Sequence, residues 1–151
     1  MYTRLYGLDA VSLRYFNVYG PRQDPSSPYS GVISIFVDKL KQAGTPVIYG
    51  DGKQTRDFIF VSDVVEANMQ AVYHDVAVGQ AINIASGTKI SLNELLHTLC
   101  DIKQVEFSAD YQQPREGDIK ASYANVGKAQ DLLGWRSKIT LEQGLRGLMQ
   151  V

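Results

Sequence analysis

Two kinds of apolar segment alternate along this 151-residue chain. Short runs rich in β-branched and aromatic residues, such as AVSLRYFN at 10–17 and AINIAS at 81–86, are typical of strands buried on both faces. Longer segments repeat apolar residues every three or four positions, as helices with one buried face do. This alternation predicts an α/β fold, with short β segments inserted between the main units.

Helical periodicity recurs from one end of the chain to the other. Helices are expected at 1–7, at 30–43, from 63 through Val65, Met69 and Val72, from 91 through Leu99, from 125 through Leu133, and from 140 through Leu148. Gly7 and Gly44 are expected to end the first two helices. Capping boxes are indicated at Asp63–Glu66, Ser91–Glu94 and Thr140–Gln143, and Asn125 is a candidate cap.

Shorter strands are indicated between the helices. PVIYG at 46–50 and TRDFIFV at 55–61 flank Asp51-Gly52, a dipeptide typical of tight hairpin turns. We therefore expect these two strands to pair with each other as a hairpin. A further strand is expected at 105–107, before a polar loop.

Composition excludes several classes of protein. The chain is 44% hydrophobic and 21% charged, as soluble globular domains are. Its net charge of -1 gives no general attraction to nucleic acid or to membranes, and neither is an expected partner. No segment approaches the roughly 20 apolar residues of a membrane span. The start MYTRLYGLD lacks the apolar core of a signal peptide, so we expect a cytoplasmic protein.

Metal and disulfide chemistry are not indicated. Cys100 is the single cysteine, in the apolar pattern LLHTLC, which favours an inert buried thiol. His74 and His97 lie on separate predicted helices without a cysteine or carboxylate at ligand spacing. We expect no metal site.

Polar side chains at the edges of apolar elements are the candidates for binding. Asn17 ends the first strand, where ligands of parallel sheets collect, although an asparagine there also serves as an ordinary turn residue. Arg56 follows a glycine-rich turn and is able to grip a phosphate, or to pair on the surface with Asp57 or Asp51. Arg115 and Asp118 share one loop, and suit a nucleotide's phosphate and ribose; the alternative is a solvated loop of mixed charge.

Four stretches in order resemble the C-terminal half of extended short-chain dehydrogenases/reductases. They are LRYFNVYGPRQDP, GVISIFVDKLKQAGTPVIYGDGKQTRDFIFVSDVVEA, NIASGTKISLNEL and PREGDIKASYANVGKAQDLLGW. The resemblance is strongest to NAD-dependent nucleoside-diphosphate-sugar epimerases, especially 4-epimerases of UDP-hexoses and UDP-N-acetylhexosamines. It implies a partial Rossmann-type sheet with the small C-terminal nucleotide-sugar-binding domain, and without the N-terminal dinucleotide-binding half. Within one compact unit, 1–29 and 62–102 would be the Rossmann remnant, and 30–61 and 103–151 the substrate-binding elements.

The resemblance also implies roles for individual residues. Asn17 would touch the diphosphate and sugar, Val32 would line the nucleotide, Val47 and Tyr49 would lie against uracil, Arg56 and Arg115 would clamp the diphosphate, and Asp118 would bind the uridine ribose. Ser122 matches a position that limits the size of the sugar pocket. A small serine there leaves room for an N-acetyl group, unless Ser122 is a loop residue without a role.

The family's catalytic motifs are not found in this sequence. It has no glycine-rich Gly-x-Gly-x-x-Gly turn for the NAD pyrophosphate. Its one Tyr-x-x-x-Lys spacing, Tyr49 to Lys53, contains two glycines and an aspartate, which indicate a turn and not a helix. The resemblance therefore implies NAD for full-length relatives, and we expect neither tight NAD binding nor a catalytic residue in this chain.

The function that follows is the UDP-sugar-binding portion of a 4-epimerase, present as a truncated or partial product that is not catalytic alone. The alternatives are the corresponding part of a nucleotide-sugar dehydratase or decarboxylase, and a non-catalytic module that uses the fold to bind another protein. Because the strands at 10–17 and 81–86 are apolar on both faces, we expect self-association or a partner chain to cover the incomplete sheet.

Overall fold

The computed structural model describes residues 2–27 and 30–150, so residue 1 of the first predicted helix lies outside the described part. The helices are α1 (Tyr2–Tyr6), α2 (Val32–Lys41), α3 (Val61–Tyr73), α4 (Leu92–Lys103), α5 (Gly127–Leu133) and α6 (Leu141–Gln150). The strands are β1 (Ser12–Tyr15), β2 (Asn17–Tyr19), β3 (Val47–Tyr49), β4 (Thr55–Arg56), β5 (Phe58–Phe60), β6 (Ala81–Ile84), β7 (Ile90–Ser91) and β8 (Asp110–Gln112). The predicted α/β class is confirmed.

The strand predicted at 10–17 changes partner part-way along its length. β1 pairs with β6 in parallel, and β2 then pairs with β5 in parallel, in the register Asn17↔Phe58. The backbone N–H of Phe16 still donates to Ile84 O, whereas the N–H of Asn17 donates to Asp57 O. Asn17 therefore lies where the strand leaves one neighbour for another, a position at which α/β sheets open clefts.

The predicted hairpin across Asp51-Gly52 is wrong. β3 pairs in parallel with β8, and β4 pairs antiparallel with β7. Gly50 and Gly52 do adopt positive φ, so the dipeptide marks a real turn. The turn leads the chain from one pairing to another, because the Arg56 backbone is paired with Ile90.

The strand predicted at 105–107 is also wrong. The strand in this region is β8, which aligns Asp110 with Val47 of β3. Phe107 instead folds back onto α4, where its ring stacks on His97 with the ring centroids 3.9 Å apart. The apolar character of this segment reflects packing against a helix.

Two of the three predicted capping boxes form in the structure. Ser91 and Glu94 form the full capping box of α4, and Thr140 and Gln143 exchange the same bonds before α6. The box predicted at Asp63 is wrong, because α3 already begins at Val61. Asp63 is buried, and its carboxylate accepts from the Ser137 hydroxyl and from the backbone N–H groups of Lys138 and Ile139.

Two hydrophobic cores lie on opposite sides of β5. The first joins α2, α4, α6 and β3, and contains Cys100, whose thiol pKa is raised by burial. The second joins α3, α5 and β6 around Ile59, and Trp135 closes it by donating its ring N–H to Asp63 O. The division of the chain into a Rossmann remnant and substrate-binding elements stays a prediction.

Exposed apolar side chains lie along one face of α3, and the exposed strand β1 lies next to that face. Val65, Met69 and Val72 are 58%, 48% and 73% exposed, so this predicted helix turns apolar residues outward. β1 is exposed as well, contrary to the strand buried on both faces expected from its sequence. Tyr15 is 48% exposed, and its hydroxyl donates to Asn68 of α3. The exposed Tyr15 ring thus lies beside the outer, apolar face of α3.

The carboxylate of Asp57 ties three segments of the chain together. It is fully buried and accepts from the Ser86 N–H and hydroxyl and from the N–H groups of Gly87 and Ala124. The Asp57 carbonyl oxygen also accepts from the Asn17 backbone and side chain. Asp57 therefore joins β2, the turn after β6 and the segment before α5.

Asp57→Ala is expected to lower the free energy of unfolding by about 3 kcal/mol or more, because several buried donors lose their acceptor at once. Urea unfolding followed by circular dichroism measures this loss. Asp131→Ala, at an exposed aspartate of α5, is the matched control and should change stability little. A loss below about 1 kcal/mol for Asp57→Ala would contradict this role.

Candidate functional site

A cleft of about 580 Å³ opens between α2, β2, β3, β4 and the loop that follows β8. Seven of the predicted binding residues line this cleft: Asn17, Val32, Val47, Tyr49, Arg56, Arg115 and Asp118. The sequence spreads them over a hundred positions, and the fold brings them to one place. What they bind stays a prediction.

Ser122 is the exception among the predicted residues. It is half-buried beside β4, where its backbone N–H donates to Thr55 O, and it does not line the cleft. Its predicted role in sugar selection therefore stays a prediction without a cleft contact to support it.

Asn17 is fixed by a residue far away in the sequence. Its Nδ2 donates to Asp57 O at 2.9 Å, so the side chain does not bond its own turn. The amide nitrogen is held by this bond, and the amide oxygen is the remaining acceptor of a side chain that lines the cleft. The geometry argues against the ordinary turn residue, and a binding role for Asn17 stays a prediction.

Arg56 pairs with Asp118 and not with Asp57 or Asp51, the two surface partners considered from its sequence. One guanidinium nitrogen lies 2.5 Å from the Asp118 carboxylate, and the other donates to Thr55 O and Ile119 O. The two side chains are 17% and 35% exposed, respectively. This network fixes the guanidinium plane at the cleft wall before any anion arrives.

Arg115 does not share the ion-pair network of Arg56, the arginine with which it is predicted to clamp the diphosphate. Its guanidinium lies over the Tyr49 ring, 3.8 Å from the ring centroid, in a cation–π contact. One flexible cation therefore covers the aromatic face expected to meet the base. A ligand that stacked directly on the Tyr49 ring would have to displace this guanidinium.

The first turn of α2 also faces the cleft. Gly31, Val32 and Ile33 line it beside Ser30, whose N–H donates to Ser27 O, so the first backbone N–H groups of the helix border the cleft. Helix N-termini attract anions for this reason. Three cations also line the cleft, Arg56, Arg115 and Lys39, against the two carboxylates of Glu116 and Asp118. The cleft can therefore contact both the anionic and the hydroxyl-bearing parts of a ligand.

Tyr19 forms part of the inner wall and is not suited to proton transfer. Burial raises the pKa of its phenol, and the negative charge of Asp63 raises it further. The hydroxyl approaches Leu141 O, and α6 comes so close that a Cβ on Gly144 would overlap the Tyr19 ring. Tyr19 is therefore a neutral structural residue at physiological pH.

Several polar lining residues were missed by the sequence analysis, among them Gln54, Lys39, Gln23 and Glu116. Gln54 stands two positions before Arg56, and its side chain bridges β3 and the loop after β8. A larger adjoining cleft, of about 970 Å³, shares Tyr49, Gln54, Arg115 and Asp118 with the first. Only the close spacing to Arg56 in GKQTRDF hinted at Gln54.

Comparison with known proteins places the chain in a family. A family model described as the NAD dependent epimerase/dehydratase family matches residues 1–85. The chain belongs to this family. UDP-glucose 4-epimerase of Mycolicibacterium smegmatis is 37% identical over 96% of this chain and 46% of its own length. UDP-N-acetyl-alpha-D-glucosaminuronate decarboxylase of Bacillus cytotoxicus is 37% identical over 97% of this chain and 47% of its own length.

Solved structures of family members have the same fold. UDP-glucose 4-epimerase of Thermotoga maritima with UDP-glucose matches at a TM-score of 0.93 and 38% identity, over 99% of this chain and 47% of that one. UDP-N-acetylglucosamine 4-epimerase of Methanobrevibacter ruminantium with UDP-N-acetylmuramic acid matches at 0.92 and 38%, with the same coverage. The chain spans about half the length of these relatives and has the partial Rossmann-type fold of their C-terminal half.

The described residues do not include the glycine-rich motif typical of sites for the NAD pyrophosphate. Within 2–27 and 30–150, no glycine-rich turn with the Gly-x-Gly-x-x-Gly spacing leads from a strand into a helix. Tyr49 lies in β3 and Lys53 follows a bend, so their spacing does not place them on one helix face. The part of the chain that the structure describes also holds no cluster of metal-ligating side chains and no helix long and apolar enough to cross a membrane.

Proposed function

We propose that this chain is the UDP-sugar-binding portion of a UDP-sugar 4-epimerase. The observation that supports this most directly is the convergence of Arg56, Arg115, Asp118 and Tyr49 on one cleft at the start of α2. Family members with the same fold are 4-epimerases, and one was solved with UDP-glucose. The ligand's parts match the cleft's chemistry one by one.

The diphosphate is the part that the cleft would hold most strongly. Arg56 is already fixed by Asp118 and by two carbonyl oxygens, so it presents donors with little loss of side-chain freedom. Arg115 would leave the Tyr49 face to join it. The N–H groups of the first turn of α2 would add neutral donors to the same anion.

The nucleoside would lie on the opposite side of Arg115. Val47 and Tyr49 on β3 offer an apolar strand and an aromatic ring for uracil. The Asp118 carboxylate would accept hydrogen bonds from ribose hydroxyls while it still holds Arg56. The hexose would then extend towards Asn17, which has an amide oxygen available as an acceptor.

We propose that the chain does not epimerise a sugar by itself. Its one Tyr-x-x-x-Lys spacing is not helical, and its glycines do not form a pyrophosphate cradle. The part played by these residues would be to bind and orient the substrate. NAD belongs, in this proposal, to the full-length relatives.

A decarboxylase acting on a UDP-sugar is the second candidate. The Bacillus cytotoxicus decarboxylase is as similar to this chain as the smegmatis epimerase, at 37% identity each. Both candidates use the same UDP-sugar-binding cleft. To distinguish them, a complete relative that carries this half is assayed for conversion of UDP-glucose and for decarboxylation of UDP-glucuronate.

A third candidate is a protein-binding module without nucleotide affinity. Binding of UDP to this chain would exclude it.

UDP affinity should depend on both arginines. The double variant Arg56→Ala, Arg115→Ala is expected to lower it by at least about a hundredfold, because each charge-assisted bond to phosphate contributes roughly 1.5–3 kcal/mol. Isothermal titration calorimetry with UDP and UDP-N-acetylglucosamine measures this loss. Arg136→Ala, Arg146→Ala removes the same charge away from the cleft and is the matched control. Equal heats in both double variants would remove the site assignment.

Sugar selection tests the proposed role of Ser122. If Ser122 leaves room for an N-acetyl group, Ser122→Tyr should lower the affinity for UDP-N-acetylglucosamine by about tenfold or more relative to the affinity for UDP-glucose. The reason is that the larger side chain would overpack the space for the N-acetyl group. Competition between the two ligands in calorimetry measures the ratio. An unchanged ratio would show that Ser122 is a loop residue without a role in selection.

We propose that the exposed apolar face of α3, with Tyr15 of β1 beside it, is covered by a second copy or by another chain. We expect wild-type protein to self-associate as concentration rises, since contiguous exposed apolar surface favours association. Val65→Glu, Met69→Glu should shift it towards the monomer in size-exclusion chromatography with light scattering. Val105→Glu, at a 42% exposed valine elsewhere, is the control. A well-behaved wild-type monomer at high concentration would contradict self-association.

A further inference from the structure

Gln54 has a side chain whose orientation is fixed by its neighbours. Its amide nitrogen lies 2.7 Å from Tyr49 O and 3.5 Å from the second carboxylate oxygen of Asp118. Both neighbours are acceptors, so the two N–H bonds of the amide point at them. The reverse orientation would set the amide oxygen against a carbonyl and a carboxylate, which repel it.

This orientation leaves the amide oxygen of Gln54 as an acceptor without a donor among the described residues. Gln54 is half-buried and lines both clefts at their shared edge, next to Asp118. A half-buried acceptor contributes to binding affinity when a ligand supplies the donor that it lacks. A ligand group that sits between Gln54 and Asp118 would be in reach of both acceptors.

Asp118 supplies a second acceptor at the same place. One of its oxygens is paired with Arg56, and the other faces the Gln54 amide nitrogen. A carboxylate offers about four lone-pair sites, so acceptor capacity remains after both contacts. Gln54 and Asp118 thus form a pair of acceptors held in a fixed relation by Arg56 and by the Tyr49 carbonyl oxygen.

We propose that Gln54 is a second recognition residue for the ribose, and that it reads the 2′,3′-diol together with Asp118. Two neighbouring hydroxyls carry two donors, which match the Gln54 amide oxygen and the Asp118 carboxylate. Gln54 also acts as a positioning residue, since its amide nitrogen orients the carboxylate. This inference rests on the proposed function, because it takes a nucleoside diphosphate as the ligand of the cleft.

The proposal makes the effect of Gln54 depend on the ribose hydroxyls. In Gln54→Met, which keeps the length and loses both polar atoms, UDP affinity should fall by roughly tenfold. The affinity for 2′,3′-dideoxy-UDP should be the same in Gln54→Met and in wild type, because the lost bond has no counterpart in that ligand. A purely structural role would weaken both ligands equally.

The experiment is calorimetry of UDP and 2′,3′-dideoxy-UDP with wild type, Gln54→Met and Gln130→Met. The last variant changes an exposed glutamine of α5 and is the matched control, expected to bind both ligands as wild type does. Thermal unfolding of each variant shows that it is folded. Gln54→Asn, which is polar and one methylene shorter, carries the test if Gln54→Met does not fold.

The outcomes separate this proposal from the proposed function. Binding of UDP by wild type, with a loss in Gln54→Met confined to the ligand with hydroxyls, supports the proposal. Equal losses for both ligands, or no loss for either, overturn it and leave UDP binding in place. Absence of UDP binding by wild type overturns the proposed function and this inference with it.

Discussion

The buried carboxylate of Asp57 is the constraint on which the cleft depends. It lies between β4 and β5, and neighbouring strand residues point to opposite sides. Asp57 points inward, to the turn after β6 and to Ala124, and Arg56 therefore points outward to Asp118. The inward position of the Asp57 carboxylate thus sets the outward position of the Arg56 guanidinium.

The same residue connects the sheet to the cleft through its backbone. Its carbonyl oxygen receives the Asn17 side chain, which places that amide at the point where β1 gives way to β2. Asp118 and Gln54 extend the network from the other side, through Arg56 and the Tyr49 carbonyl oxygen. The cleft wall is consequently a continuous set of polar contacts, anchored at one buried group and ending in free donors and acceptors.

The sequence was most informative where a residue's setting is local. Ser91 and Glu94 cap a helix through contacts three residues apart, and this was predictable. Asn17 was chosen because it ends an apolar strand, Arg56 because it follows a turn, and Asp118 because it shares a loop with Arg115. The fold brings these residues together. Where pairing is long-range, the sequence misled. Asp51-Gly52 marks a turn, but a turn does not determine which strands pair. β3 pairs with β8, some sixty positions later in the sequence.

Gln54 was missed because its contacts are set by tertiary structure. The outward face of α3 could be predicted as apolar but not as exposed.

We propose that these polar groups form one nucleotide-binding cleft. The most direct measurement is a titration of ¹⁵N-labelled protein with UDP, followed by heteronuclear NMR. We expect saturable shifts at backbone amides of Asn17, the first turn of α2, β3 and residues 115–118. Saturable shifts centred elsewhere, for instance on Asn83 and Lys128, or no shifts at millimolar UDP, would contradict it.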